Sequence, residues 1–312
     1  NLGGKKITVI HLQIMNLLIT GATGLIGRAT IKYFNNKGFN ISILTTTKME
    51  KLKIHGVKIF YWNPIDNMID ENALNDIDVI INLCGAKINQ RWTKKTKNLI
   101  MDSRVKSTKL IVDTLIRKNL QISHFISASA IGIYPHSFNK IFKENCNEFS
   151  NTFSGKVVQG WEKEAKKAKK VAINVSLLRI GIVLSKKGGA LEPIKASCFF
   201  GFGAWFGNGN QIQSWIHIDD LVEILFFAYR YPGIYNAVSP KSITQKELIK
   251  EISKRFVMPS LVPCIPRILS KLLFGEMSEI LHDSVNASSE KLVKKGFKFK
   301  FNNIEKALDD LI

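Results

Sequence analysis

The chain has 312 residues, 45% of them hydrophobic, so it is long enough to bury a large core. No apolar run approaches the length that crosses a bilayer, and we expect no membrane partner. The formal net charge is +20, which ordinarily suggests nucleic acid. Here most cations are Lys, spread along a chain that is also rich in Asn and Ile. An A+T-rich coding sequence produces that joint bias, so we expect no nucleic-acid partner either.

Four cysteines lie far apart, and none belongs to a Cys-x-x-Cys pair. We therefore expect neither a disulfide framework nor a metal site, and we expect a reducing, cytoplasmic location. The cysteines are Cys84, Cys146, Cys198 and Cys264. Residues 1–14 precede Met15 and contain no small-residue cleavage site, so we interpret them as an upstream extension and not as a secretory signal.

Residues 16–28 join a short apolar run to three glycines at three-residue spacing and then to a helix-like segment. Gly21 permits a tight turn at the end of a strand, and Gly24 lets backbone N–H groups approach a pyrophosphate. Gly27 permits close packing of the following helix on the sheet. The pattern predicts a strand, a phosphate-binding turn and a helix whose N-terminus faces the anion.

Short apolar runs then alternate with amphipathic segments, as expected for strands that are buried on both faces of a parallel sheet. The predicted strands cover residues 40–45, 57–61, 78–83, 124–127 and 174–178. The predicted helices cover residues 29–37, 94–118 and 161–170. The alternation predicts an α/β fold with a Rossmann-type doubly wound parallel sheet.

The pattern changes after residue 184. Residues 201–209 are rich in glycine and aromatic residues, which fits either a mobile wall over a substrate cleft or a packed surface loop. Residues 215–220 precede a helix, with Asp219 or Asp220 near its N-terminus. The last part contains two short helical patterns. We predict a dinucleotide-binding domain over residues 15–240, which includes a substrate loop at 186–215, and a small C-terminal substrate-side domain over 241–312.

Several motifs together resemble the extended short-chain dehydrogenase/reductase, or sugar-nucleotide epimerase, superfamily. They are the glycine turn at 21–27, Asn-Leu-Cys-Gly at 82–85, residues 127–134 and Trp-Ile-His-Ile-Asp-Asp at 215–220. Further motifs are similar to those of one branch of this superfamily, the atypical YfcH-like epimerase family. They lie at residues 91–92, 103–104, 161–162, 178–181, 188–191 and 296–299. This resemblance implies an NAD(P)-binding Rossmann domain and a C-terminal domain of unknown role.

The resemblance also implies a set of cofactor contacts. We expect Leu83 and Cys84 to line the ribose. Cys84 is either a reactive thiol or a small apolar residue. Arg104 makes either a cofactor contact or a surface salt bridge. Together with the glycine turn and the end of the second strand, the expected contacts are Gly21, Thr23, Gly24, Leu25, Ile26, Gly27, Arg28, Thr45, Thr46, Lys48, Leu83, Cys84, Gly85 and Arg104.

The end of the second strand bears on the choice of nicotinamide cofactor. An acidic residue commonly binds the ribose 2′-hydroxyl of NAD about 20 residues past the glycines. The chain has Thr45 and Thr46 there, without the Arg that is usual in the resembled family. Lys48 and Arg28 remain as cationic partners for a 2′-phosphate. We therefore favour NADP, with NAD as the alternative.

The usual chemistry of this superfamily needs a Tyr acid/base, a Lys four residues later and a Ser. Ser129 stands at the Ser position, but residues 153–162 contain neither the Tyr nor the matching Lys. We interpret the spacing of Tyr33 and Lys37 as coincidence. Tyr134 is a candidate surrogate acid, although a tyrosine of the cleft wall is the favoured alternative.

Two residues near the substrate side have alternative interpretations. His217 is either part of a substrate rim or a structural residue, and Trp215 either stacks on a substrate or fills the core.

Two functions are consistent with these features. The first is an NADP(H)-binding oxidoreductase or epimerase-like protein of unknown small-molecule substrate, in which Ser129 and Tyr134 serve an altered proton transfer. The second is a dinucleotide-sensing or regulatory protein without hydride transfer. The absent Tyr/Lys pair favours the second function, and the glycine- and aromatic-rich loop favours the first.

Overall fold

The structure is a computed structural model, and it describes residues 15–47, 54–257 and 264–312. The upstream extension and Lys48 lie outside the described residues. Within the described ranges, no helix is both long enough and apolar enough to span a bilayer.

The strands and helices follow one another in the alternating order that the sequence predicts. The strands are β1 (Asn16–Thr20), β2 (Asn40–Thr45), β3 (Val57–Asn63), β4 (Met68–Ile69), β5 (Val79–Asn82), β6 (Ile122–Ala130), β7 (Ile141–Phe142), β8 (Ala172–Ile180), β9 (Ile182–Leu184), β10 (Trp205–Phe206), β11 (Ile212–Gln213), β12 (Trp215–His217), β13 (Ile234–Ala237), β14 (Ile243–Thr244), β15 (Cys264–Ile265) and β16 (Asn286–Ala287). The helices are α1 (Leu25–Asn36), α2 (Lys94–Arg117), α3 (Phe153–Lys166), α4 (Leu191–Phe199), α5 (Ile218–Arg230), α6 (Gln245–Lys254), α7 (Arg267–Phe274), α8 (Ser278–His282), α9 (Glu290–Lys294) and α10 (Ile304–Leu311).

Eight of the described strands form one sheet in the order β13-β8-β6-β5-β1-β2-β3-β4, and the other eight pair two by two in short ladders. Every neighbouring pair in the eight-stranded sheet is parallel except β3 and β4. The chain leaves β1 toward β2 on one side and later returns to β5 on the other, so the strand order reverses between β1 and β5. This arrangement confirms the predicted doubly wound, Rossmann-type α/β fold, and ligands bind at such a reversal beyond the carboxyl ends of the strands.

Helices cover both faces of the sheet because its strands alternate their buried side chains between two cores. Leu17 and Ile19 of β1 face a cluster that includes α1 and α5. Leu18, between them, faces the opposite cluster, which includes α2 and the end of α3. Since both faces are apolar, the strands read as continuous hydrophobic runs, which is why their positions are predictable from the sequence.

A third cluster lies beyond the sheet, between α4, α6 and α10. It is joined to the sheet through α5, because the Asp220 carboxylate accepts backbone N–H bonds from Lys300 (2.8 Å) and Phe301 (2.9 Å). Burial raises the pKa of Asp220, although these two bonds oppose the rise. The predicted boundary at residue 240 between two domains stays a prediction.

The structure corrects three sequence predictions of helices, of which the first, at residues 29–37, begins four residues earlier as α1. The helix predicted at residues 161–170 begins eight residues earlier as α3, where Thr152 accepts a bond from the Gly155 N–H (3.1 Å), and its last part is a 3-10 turn. The start is hard to predict because Gly155 lowers the helix propensity of this segment. The fold nevertheless requires glycine there, since a Cβ would lie 2.3 Å from the Ser150 carbonyl oxygen. The C-terminal part contains α7 to α10 instead of two helical segments.

His124 on β6 gives a testable prediction about acid stability. Its Nε2 lies 2.9 Å from Ser176 Oγ, and burial lowers the pKa of His124 from 6.5 to about 4. A depressed His pKa means that folding favours the neutral ring, so the stabilisation is complete above pH 6.5 and is lost as the pH falls from 6.5 toward 4. We expect the wild type to lose about 2–3 kcal/mol of unfolding free energy between pH 7 and pH 4.5 that His124→Gln does not lose.

Urea denaturation at the two pH values measures this difference. His55 is exposed, so His55→Gln is the matched control and should keep the wild-type pH dependence. The prediction fails if His124→Gln and His55→Gln show the same loss on acidification.

Candidate functional site

The turn between β1 and α1 needs glycine at two positions. Gly21 has φ +66°, and a Cβ on it would lie 2.5 Å from the Leu83 carbonyl oxygen beyond β5. A Cβ on Gly27 would lie 2.3 Å from the Gly21 carbonyl oxygen. The turn therefore lies directly at the reversal of strand order, with α1 packed against it more closely than any side chain would allow.

Gly24 differs from these two because its surroundings are open. A Cβ on it would meet only the Gly21 oxygen, at 3.2 Å, within 4 Å. Gly24 is the N-cap of α1, no side chain caps the helix there, and the first turn contains no acidic residue. Backbone N–H groups at a helix N-terminus attract anions. The open side of Gly24 thus fits a phosphate group, and Leu25 and Ile26 belong to that first turn.

Arg28 lies one turn further along α1, where its Nε donates a hydrogen bond to the Thr23 carbonyl oxygen (2.7 Å). The guanidinium is exposed and forms no ion pair with a described carboxylate. At the end of β2, Thr45 is buried and Thr46 is exposed. The Thr45 hydroxyl accepts the Thr47 N–H (3.1 Å). The described end of β2 therefore presents hydroxyl groups and no carboxylate.

A buried chain of hydrogen bonds fixes β1, β5 and α2 beneath the glycine turn. Thr20 Oγ1 donates to Asn82 Oδ1 (2.7 Å), and Asn82 Nδ2 donates to Thr108 Oγ1 on α2 (2.8 Å). The Leu83 N–H returns to Thr20 Oγ1 (3.2 Å). Each polar group in this hydrogen-bond network has a partner, and the network therefore makes the edge of the site rigid.

Cys84 and Gly85 extend past the end of β5. Burial raises the pKa of the Cys84 thiol to about 11, so it stays protonated at neutral pH. A protonated thiol is a poor nucleophile, and this favours the interpretation of Cys84 as a small apolar residue.

Arg104 on α2 places its guanidinium under Gly85, where a Cβ would lie 2.8 Å from it. Its Nη1 donates to the carbonyl oxygens of Ala86 and Ile100 (3.2 Å each), and the guanidinium lies 5.4 Å from the Trp161 ring centre. Burial lowers the pKa of Arg104 to about 10. No described carboxylate pairs with this partly buried cation, which suits it to an anionic ligand.

Ser129 is near the end of β6 and is 2% exposed. Its hydroxyl donates to Glu162 Oε1 on α3 (2.7 Å). Arg179 on β8 holds both oxygens of that carboxylate, with Nε 2.8 Å from Oε1 and Nη2 3.2 Å from Oε2. Burial opposes the charged form of Glu162, but the bonds and charge of Arg179 keep the pKa of Glu162 below its ordinary value. The Ser129 hydroxyl therefore donates its hydrogen bond to an ionised carboxylate.

Tyr134 belongs to the same network. Its hydroxyl accepts a hydrogen bond from Arg179 Nη1 (2.8 Å) and donates one to Asn236 Oδ1 (2.8 Å). Its ring stacks on Phe142. Burial raises the pKa of Tyr134, although Arg179 opposes the rise. The structure thus brings the two predicted catalytic hydroxyls to one ion pair. The roles of Ser129 and Tyr134 stay predictions.

Glu162 and Arg179 were not among the predicted site residues. Both carry a signal in the sequence, because Arg179 interrupts the apolar run of β8 and Glu162 follows Trp161 in a motif of the resembled family. A charge inside a buried strand requires a partner, but the sequence alone does not say which carboxylate provides it.

His217 and Trp215 have structural partners. His217 Nδ1 accepts the Asp219 N–H (3.1 Å) at the start of α5, and its ring stacks on Phe301 at 3.7 Å. Trp215 is fully buried and donates from Nε1 to the Lys241 carbonyl oxygen (2.9 Å). Both contacts favour the structural alternatives.

Residues 201–209 include β10, which pairs with β15, so part of this segment is an ordered ladder. Among the described residues there is no cluster of His, Cys, Asp or Glu that could hold a metal ion.

Residues 17–175 match the NAD dependent epimerase/dehydratase family. The chain belongs to this family. The resemblance to epimerases that the motifs carried is confirmed. Residues 265–311 match a second family, a domain of unknown function called DUF1731.

Relatives and solved structures agree over almost the whole chain. An epimerase family protein of Staphylococcus haemolyticus is 34% identical over 299 residues, which cover 95% of this chain and 98% of the relative. The crystal structure of the human epimerase family protein SDR39U1 (isoform 2) with NADPH has a TM-score of 0.83 at 22% identity, covering 95% of this chain and 99% of that one. A UDP-glucose 4-epimerase from Thermotoga maritima, with UDP-glucose, has a TM-score of 0.75 at 16% identity, covering 94% and 96%. At these identities the two structures show the fold of this epimerase-family protein.

The ion pair of Glu162 and Arg179 generates a prediction about stability. Replacing Glu162 by Gln leaves the buried Arg179 without a counter-charge, and breaking a buried pair in this way typically costs 3–5 kcal/mol. We expect Glu162→Gln to lower the unfolding free energy by about that amount in urea denaturation at pH 7.

Glu290 provides the matched control, because its carboxylate is half-exposed and pairs with the surface cations Lys143 (2.7 Å) and Lys294 (2.5 Å). Glu290→Gln should change the unfolding free energy by less than about 1 kcal/mol. If both variants lose the same small amount, the buried pair does not have the importance assigned to it.

Proposed function

We propose that this protein binds NADP(H) and acts as an oxidoreductase or epimerase on a small molecule. The observation that carries the proposal is a pair of cationic features at the reversal of strand order. One is the open, uncapped N-terminus of α1 at Gly24, and the other is the Arg104 guanidinium, which has no carboxylate partner in the described chain. Both suit the phosphates of a dinucleotide.

The same assignment extends to the other predicted contacts. Gly21 and Gly27 shape the turn, and Gly85 leaves room for Arg104. Leu83 and Cys84 would line the ribose. Residues 15–240 would hold the dinucleotide and residues 241–312 the substrate side. The four cysteines are free thiols, which supports a reducing compartment such as the cytoplasm.

The preference for NADP is supported by what surrounds the end of β2. A carboxylate there would favour the 2′-hydroxyl of NAD, but Thr45 and Thr46 stand in its place. Arg28 is an exposed cation on the neighbouring helix and suits a 2′-phosphate. The human structural neighbour was solved with NADPH, which agrees with this choice.

The network around Ser129 supports an altered form of the usual chemistry. A bound nicotinamide would supply the site that accepts or donates hydride. Because the Ser129 hydroxyl donates its proton to Glu162, its oxygen would serve as a hydrogen-bond acceptor for a substrate hydroxyl that reached it. Tyr134 would act through the same ion pair, since Arg179 contacts both Tyr134 and Glu162.

A second function is favoured by the same network. The hydroxyls of Ser129 and Tyr134 are buried and already bonded, and residues 153–162 lack the Tyr and Lys of the usual pair. A protein of this kind would bind the dinucleotide as a sensor and would not transfer hydride.

Cofactor binding tests what the two functions share. Gly24→Val should abolish binding of NADPH and NADH while leaving the melting temperature within a few degrees of the wild type, because the Cβ meets only one atom of the folded chain. Arg28→Gln should weaken NADPH by about tenfold and NADH hardly at all, since a charge-assisted bond contributes about 1.5–3 kcal/mol. Calorimetric titration measures both.

Two results would contradict this assignment. One is unchanged dinucleotide affinity in a folded Gly24→Val protein, and the other is a wild type that binds NADH more tightly than NADPH. Gly27→Val is the steric contrast, because a Cβ there collides with the turn itself and should unfold or destabilise the protein.

Hydride transfer separates the two functions. A panel of carbonyl and sugar-nucleotide compounds is assayed with NADPH, and turnover on ordinary sugar nucleotides should be very low because the Tyr/Lys pair is absent. Any turnover should fall at least about tenfold in Ser129→Ala and Tyr134→Phe and stay unchanged in Tyr33→Phe.

Each outcome of this assay has a clear meaning. Tight NADPH binding with no turnover on any compound would favour the sensor. Strong epimerisation that only Tyr33→Phe abolishes, in a folded protein, would overturn the assignment of Ser129 and Tyr134.

A further inference from the structure

Helix α7 contacts the rest of the protein through Ser270 and Phe274, and its four aliphatic residues point outward. Ser270 is fully buried, with its hydroxyl 2.7 Å from His282 Nε2, and Phe274 packs on Phe206 with ring centres 5.9 Å apart. These two residues, four apart, attach the helix to the protein. A surface helix ordinarily does the opposite and buries its aliphatic stripe.

The outward side of α7 carries two rows of aliphatic residues at i, i+4 spacing. Ile268 and Leu272, which form the first row, are 86% and 72% exposed. Leu269 and Leu273, which form the second, are 44% and 55% exposed. We call these four residues the α7 apolar face. A contiguous exposed patch of this kind marks an interaction site more often than single exposed residues do.

A row of cations borders this face. Arg267 and Lys271 are four residues apart, next to the row of Ile268 and Leu272, and both are exposed. Neither forms an ion pair with a described carboxylate, and α7 itself contains no acidic residue. Arg267 does lie within electrostatic reach of Asp283, but no such carboxylate is recorded for Lys271 among the described residues. An apolar strip with exposed cations along its edge matches the anionic surface of a lipid bilayer, where aliphatic side chains enter the acyl boundary and cations meet the headgroups.

We propose that the α7 apolar face docks this protein on anionic lipid surfaces, a property beyond its proposed chemistry. A second copy of the chain fits less well, because a symmetric interface would bring the bordering cations of one copy toward those of another in a protein of net charge +20. The sequence-level expectation of no membrane partner rests on the absence of a spanning run, and an interfacial helix needs none.

The test uses the full-length protein and co-sedimentation with vesicles of phosphatidylcholine alone or mixed with phosphatidylserine. The wild type should bind the mixed vesicles and not the neutral ones, and added salt should weaken the binding. Ile268→Glu and Leu272→Glu should each reduce the partition coefficient by roughly tenfold or more, since each removes a buried aliphatic side chain from the lipid.

Ile173→Glu is the matched control, because Ile173 is 81% exposed on β8 and the change alters the net charge by the same amount. Non-specific attraction of a cationic protein would weaken equally in all three variants, so only a local docking face separates them. Leu272→Ser removes the aliphatic side chain without adding charge, and it should also reduce binding. Unchanged thermal unfolding and NADPH affinity would show that each variant is folded.

Three results would overturn the proposal. The first is absence of binding to the mixed vesicles. The second is equal loss of binding in Ile173→Glu and Leu272→Glu. The third is a lipid-free dimer in analytical ultracentrifugation that Leu272→Glu dissociates, which would assign the face to a second copy of the chain.

Discussion

The buried ion pair of Glu162 and Arg179 holds together the parts of the molecule on which the site depends. Its carboxylate belongs to α3, its guanidinium to β8, and it binds Ser129 of β6 as well. Through Arg179 it reaches Tyr134, whose hydroxyl also faces Asn236 of β13. Two charges in an apolar interior are tolerated only when all their hydrogen bonds are made, so this pair fixes the relative positions of four elements.

The sheet and the glycine turn could be predicted from the sequence because their signals are local. The predicted strand at 40–45 coincides with β2, and Gly21 is required by a backbone conformation that other residues rarely adopt. The start of α3 was not predictable in the same way, because Gly155 lowers helix propensity and is needed only for contact with Ser150. Tertiary packing thus overrode a local preference.

The candidate site could be predicted in its types of residue but not in its pairings. Ser129 and Tyr134 were named from their positions in the chain, whereas their common partner Arg179 is separated from them by 50 and 45 residues. Arg104 was expected from a family motif, but only the packing of α2 under Gly85 shows that no described carboxylate pairs with it. Periodicity likewise predicts that a helix such as α7 buries leucines, and only the fold shows that it buries Ser270.

The electrostatics of the network limit the chemistry that this edge of the sheet can perform. Arg179 keeps the pKa of Glu162 low, Glu162 in turn raises the pKa of Arg179 against the effect of burial, and burial raises the pKa of Tyr134. None of these shifts moves a pKa toward 7. A proton-transfer group works best with a pKa near the working pH. The network is therefore suited to orienting Ser129 as a hydrogen-bond acceptor, and a proton that leaves a substrate here needs an acceptor other than Glu162.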